Sequence, residues 1–108
     1  MIEIKSDRII TSDGLRSGYL YVDNRLIDGF SEKQRPADEH YDFTGKYVSA
    51  GFIDLHTHGA GGYPFINCTE DDVINACNFH LKHGTTSIMP TVTAGAFETM
   101  REAVAKIA

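Results

Sequence analysis

Apolar and polar positions change their rhythm near residue 50. Before it they alternate in short runs with a period close to two, which predicts strands. Ile2 and Ile4 alternate with polar neighbours, and Arg8–Thr11 makes a second short β-like run. Ser12-Asp13-Gly14 reads as a turn. Tyr19–Val22 is aromatic and β-branched, and Arg25–Ile27 resumes the pattern after Asp23-Asn24, which predicts a hairpin. Residues 31–40, SEKQRPADEH, are polar and contain Pro36, so a loop is expected. Tyr41–Phe43 and Lys46–Val48, either side of Gly45, predict one more hairpin. The expectation is a β-rich module over 1–50 with too few aliphatic residues for a strong core of its own.

From Gly51 the period lengthens. Phe52–Leu55 is a short apolar strand, followed by the glycine-rich stretch 59–62. Thr69 followed by Glu70-Asp71-Asp72 has the form of a helix start, with a capping hydroxyl and acids that suit the helix dipole. Ile74, Cys77 and Leu81 recur at helical spacing, and Gly84 is placed to end that helix. Thr85–Val92 reads as a strand with Pro90 near its end, and a second helix is expected from about Gly95, with Phe97, Met100, Val104 and Ile107 on one face. Strand, helix, strand, helix implies a parallel crossover over 51–108. A two-stranded parallel sheet leaves edges and apolar faces uncovered, so these residues are expected to open a larger fold.

Composition adds exclusions. The 108 residues carry 10 Lys and Arg against 15 Asp and Glu, a net charge of −5 with no basic cluster, which argues against a nucleic-acid surface. No apolar run reaches the ~20 residues of a membrane span, so no membrane role is expected. The charged N-terminus MIEIKSDRII does not look like a signal peptide, which predicts a cytoplasmic protein. Cys68 and Cys77 form no Cys-x-x-Cys pair and read as free thiols.

The chemistry concentrates in GFIDLHTHGAGG, residues 51–62. On a strand, Asp54, His56 and His58 point to one side, so two imidazoles can meet a single cation. Asp54 could then orient a ligand from behind. The strand's C-terminal end, just before a glycine-rich loop, is where parallel α/β folds bind ligands. His80 and His83 are better explained as polar residues at a helix C-terminus than as ligands, and His40 is expected in solvent. Gly59, Gly61 and Gly62 lack the spacing of a phosphate-binding fingerprint and read as a tight loop first and a substrate-facing loop second. Tyr63 and Phe65 read as packing residues.

GKYVSAGFIDLHTHGAGG followed by HLKHGTTSIMPTVTA resembles the start of the metal-dependent amidohydrolases. The loop HGAGGYPF and the strand GTTSIMPT are similar to those of the N-acetylglucosamine-6-phosphate deacetylases within that superfamily. The resemblance covers the whole chain but only the first quarter to third of such an enzyme. It implies an α/β fold: a small β-rich module (a composite β-sandwich) over 1–50, then the first two βα units of a (β/α)8 TIM barrel over 51–108. It implies a hydrolase that converts an amino-sugar phosphate substrate to the free amine and acetate, with a divalent metal as cofactor. Zn is the first choice, with Fe, Mn, Co or Ni as alternatives, and one or two ions in the complete enzyme, a homodimer. His56 and His58 match the family's metal-ligand positions in the first strand. Some members carry Gln-x-Asn there, and Ala50 stands where a proline often precedes GFID. No residue here matches the family's catalytic base, so these residues alone are expected to be inactive. Another cyclic-amide or peptide amidohydrolase, such as a dihydroorotase or a dipeptidase, or a non-catalytic fragment, remains the alternative.

Overall fold

The computed structural model describes residues 1–108, which divide into two compact units, Met1–Ala50 and Gly51–Ala108. In the first, strands β1 (Ile2–Thr11), β2 (Gly14–Asp23) and β3 (Leu26–Ser31) form an antiparallel meander. The turn between β2 and β3 puts Asn24 at φ 48° and Arg25 at φ 67°, the left-handed pair that a tight two-residue hairpin turn requires. Two expectations change. The two short runs predicted before the first turn are one strand, kept continuous across an irregularity between Ser6 and Ile9. There the Ser6 hydroxyl accepts the Arg8 N–H (2.9 Å) and donates to the Lys46 carbonyl (2.7 Å), so the break in alternation is stitched by a side chain. The predicted second hairpin is also absent. β4 (Glu39–Asp42) and β5 (Tyr47–Val48) each pair parallel to β1, end to end along one edge. β4 therefore takes Glu39 and His40 out of the expected loop.

The centre of this unit is half polar. Ile9 and Tyr21 are buried, and so are Ser6 and the carboxylate of Glu3. A buried carboxylate is costly unless it is hydrogen-bonded, and here it is saturated. Tyr21 donates to Oε2 (3.0 Å), Gln34 donates to Oε1 (2.9 Å), and His40 Nδ1 lies 3.0 Å from Oε1. Burial pushes the Glu3 carboxyl up, but bonds from His40, Tyr21 and Gln34 outweigh it and hold it below its ordinary value. His40 is exposed as expected, and one of its ring nitrogens is anchored to Glu3.

The second unit has an apolar core. β6 (Phe52–Thr57) and β9 (Thr85–Pro90) pair in parallel, with Thr57 level with Pro90. The crossover between them contains a short hairpin, β7 (Gly59–Ala60) and β8 (Tyr63–Pro64), then α1 (Glu70–Lys82); α2 (Phe97–Ile107) follows β9. α1 starts as expected. Thr69 Oγ1 accepts the Asp72 N–H (3.2 Å), and Asp72 returns a bond from the Thr69 N–H (2.8 Å), which lowers the Asp72 carboxyl. The packing stripes match the expected ones in part: Cys77 and Ile107 pack against the core. Val73 and Ala76 are buried in α1 while Ile74 and Leu81 are exposed; Ala103 is buried in α2 while Phe97 and Val104 are exposed. Phe65, fully buried, takes the space between the elements and packs with Cys68, Val73 and Ala76. A helix facing so large a ring approaches through its small side chains. Tyr63 is only partly covered, so of the two expected packing aromatics Phe65 carries the core.

A candidate metal centre at the end of β6

The β6 pleat brings the two histidines together. His56 Nε2 and His58 Nε2 lie 3.3 Å apart, with their rings edge-on at 67°. Both side chains are exposed, and Asp54 is half-buried on the same side of the strand. Asp54 reaches the pair through the main chain: its Oδ1 accepts the His56 N–H (3.1 Å) and makes no bond to either ring.

His58 is held from the residue that follows β9. Its Nδ1 lies 3.0 Å from the carbonyl of Thr91. A carbonyl only accepts, so Nδ1 carries the proton and Nε2 presents its lone pair. This is the arrangement by which a metal-binding imidazole is oriented from behind. Two Nε2 atoms on one tetrahedral ion, with bonds of ~2.0–2.1 Å, would sit ~3.3–3.4 Å apart. The imidazole pair therefore fits a divalent cation in both donor type and spacing. It is a partial set, since no three His, Cys, Asp or Glu side chains gather closely enough to hold an ion.

The glycine-rich stretch is the β7–β8 hairpin, whose turn is Gly61-Gly62 at φ 63° and 89°. Gly59 lies at φ 124°, and a Cβ there would fall 2.1 Å from the Tyr63 carbonyl oxygen. A Cβ on Gly61 would fall 2.6 Å from the Phe79 ring, whereas Gly62 faces open space. The first two glycines thus have a packing reason, and only the third leaves room for a ligand. His83 caps α1, its Nδ1 bonded to the Phe79 carbonyl (2.8 Å), in keeping with a helix-end role.

Three participants are invisible to a motif reading. Thr57 lies between the histidines, its side chain pointing the other way; Thr91 reaches the site only through the β6–β9 pairing; and His80 approaches Thr57 Oγ1 at 3.2 Å from the last turn of α1. Their contacts are set by tertiary register, and no local spacing in the chain announces them.

No family model matches the chain. It is 32% identical over 99% of its length to the N-acetylglucosamine-6-phosphate deacetylase of Homo sapiens, of which it spans 28%. It is also 32% identical over 97% of its length to a D-hydantoinase of Rhizobium radiobacter, of which it spans 23%. Among solved structures it superposes on N-acetyl-D-glucosamine-6-phosphate deacetylase from Mycobacterium smegmatis with a TM-score of 0.85 at 25% identity, covering 99% of this chain and 31% of that one. A D-hydantoinase from a Thermus species gives a TM-score of 0.58 at 27% identity.

Proposed function

Starting from a chain homologous to the N-terminal portion of N-acetylglucosamine-6-phosphate deacetylases, we propose that it supplies the first two metal ligands of such an enzyme. The reaction is hydrolysis of the acetamide of N-acetylglucosamine 6-phosphate to glucosamine 6-phosphate and acetate. One observation carries the reading: two imidazole nitrogens 3.3 Å apart, one oriented by a main-chain carbonyl, at the C-terminal end of a parallel strand. His56 and His58 would hold the cation, with Zn the best match to the donors. When bound, such a cation polarises the amide carbonyl and makes a water nucleophilic at neutral pH. Thr91 keeps the His58 lone pair directed outward, Asp54 fixes the His56 main chain, and Gly62, which faces open space, leaves room for substrate. No carboxylate near the pair is placed as general base, so that role and the remaining ligands belong to residues other than these 108. In this reading 51–108 are the first two βα units of a TIM barrel, and the complete enzyme is a cytoplasmic homodimer.

A chimera tests this. This chain replaces the matching segment of the Mycobacterium smegmatis deacetylase, and acetate release from N-acetylglucosamine 6-phosphate is measured. Activity is expected, and His56→Ala or His58→Ala should cut it by more than the ~10–100-fold that outer partners of a metal site cost. A folded chimera whose activity survives either change contradicts the reading. A cyclic-amide substrate has weaker support, and turnover of a dihydropyrimidine by the chimera, with none of the sugar phosphate, would favour it.

A further inference from the structure

We propose that His80 is a positioning residue for the His56–His58 pair, acting through the hydroxyl of Thr57; the inference rests on the reading of that pair as metal ligands. Thr57 is the residue on which the pair pivots. Its carbonyl accepts the Thr91 N–H (2.8 Å), and its hydroxyl donates to the Gly59 carbonyl (3.2 Å). A hydroxyl has one proton, so with that bond made Thr57 Oγ1 can only accept from His80 Nε2, 3.2 Å away. His80 is therefore the donor, a half-buried side chain in the last turn of α1.

The three bonds surround a single residue whose two neighbours are the two candidate ligands. Thr91 grips Thr57 by its carbonyl and His58 by its ring, so the residue just past β9 holds the strand end from one side. His80 holds it from the other, through the only side-chain bond that α1 makes to β6. The φ and ψ of Thr57 lie between the two histidines, so a rotation there changes the 3.3 Å spacing of their Nε2 atoms. The glycine that accepts the Thr57 proton is itself paired with Pro64 in the β7–β8 hairpin. His80 thus couples the helix end to the spacing of the two imidazoles.

The test uses the 108-residue chain and Zn2+. His80→Ala should weaken Zn2+ binding about tenfold by calorimetric titration, the low end of what partners behind a metal ligand contribute. His80→Gln, whose amide N–H can donate to the same oxygen, should stay near the wild type. Thr57→Val, which removes this bond and the one to the Gly59 carbonyl, should lose at least as much as His80→Ala, and the double variant no more than Thr57→Val alone. A second readout needs no metal: the Nδ1–H resonance of His58 should exchange with water faster in His80→Ala than in the wild type and in His80→Gln. Unchanged exchange and affinity in folded His80→Ala, or losses that add in the double variant, overturn the inference. His56→Ala separates the two claims. If wild-type binding depends on His56 but not on His80, the positioning role fails alone; if it depends on neither, the metal reading fails, and the exchange measurement still decides the role of His80.

Discussion

The two units stabilise themselves by opposite means. Residues 1–50 bury a carboxylate and a hydroxyl beside Ile9 and Tyr21, and each buried polar atom has its partner. Residues 51–108 bury Phe65, Cys68, Val73 and Ala76, and the histidines converge outside that core, at the exposed end of β6. A polar centre depends on every bond being made, since an orphaned buried partner costs its desolvation. An apolar centre depends on volume, and it leaves the polar groups free for chemistry. The unit that carries the candidate site is the one whose buried centre holds no ionisable carboxylate.

That contrast can be broken from either side. The largest effect should come from Phe65→Ala, which empties the middle of the second core and should cost about 3–5 kcal/mol by chemical denaturation, with the amide signals of residues 1–50 unmoved. Tyr21→Phe should cost about 1–3 kcal/mol, because it strands the Glu3 carboxylate and the Arg35 N–H (2.6 Å from the Tyr21 oxygen) together. Equal loss of signals from both units in either variant would erase the distinction.

Acid should separate the units as well. Glu3, Asp7, Asp38 and Asp42 in the first unit are held below their ordinary values, against Asp72 in the second. For Glu3 the bonds from His40, Tyr21 and Gln34 overcome burial; for Asp7 it is the Gly45 N–H; for Asp38 the terminal ammonium; for Asp42 the Thr44 hydroxyl, then Lys5. A depressed carboxylate binds fewer protons folded than unfolded, so its stabilisation is complete above the ordinary value and fades as pH falls. The first unit should therefore weaken below about pH 4 and melt before the second. Tyrosine fluorescence reads this directly, since four of the five tyrosines lie in residues 1–50. Coincident acid transitions in the two units would contradict it. The smallest effect expected is Thr69→Ala, which removes the cap of α1 and should cost about 1 kcal/mol in the second unit alone.

How much of this was legible in the chain follows the same division. The second unit announced its elements, because Thr69, Gly84 and the β-branched run at 85 are local signals that tertiary structure had no reason to override. Its helix faces were legible in part: Cys77 and Ile107 pack as their spacing predicts, whereas Ala76 and Ala103 count for little in a hydrophobic pattern yet are the buried positions. In the first unit the meander was readable, but the parallel return of β4 and β5 to β1 was not. Strand pairing across 37 residues leaves no trace in local alternation. The bond from His40 to Glu3 was hidden for the same reason: the two are neighbours only once β4 has docked. At the site, His56 and His58 stood out through their spacing, whereas Thr57, His80 and Thr91 could be identified only by what they touch.

The most direct test of the central claim is a crystal of this chain grown with Zn2+ and measured at the zinc absorption edge. The prediction is an anomalous peak ~2.0–2.1 Å from Nε2 of both His56 and His58. A peak at His40 and Glu3, or at His80 and His83, with none between His56 and His58, would contradict it.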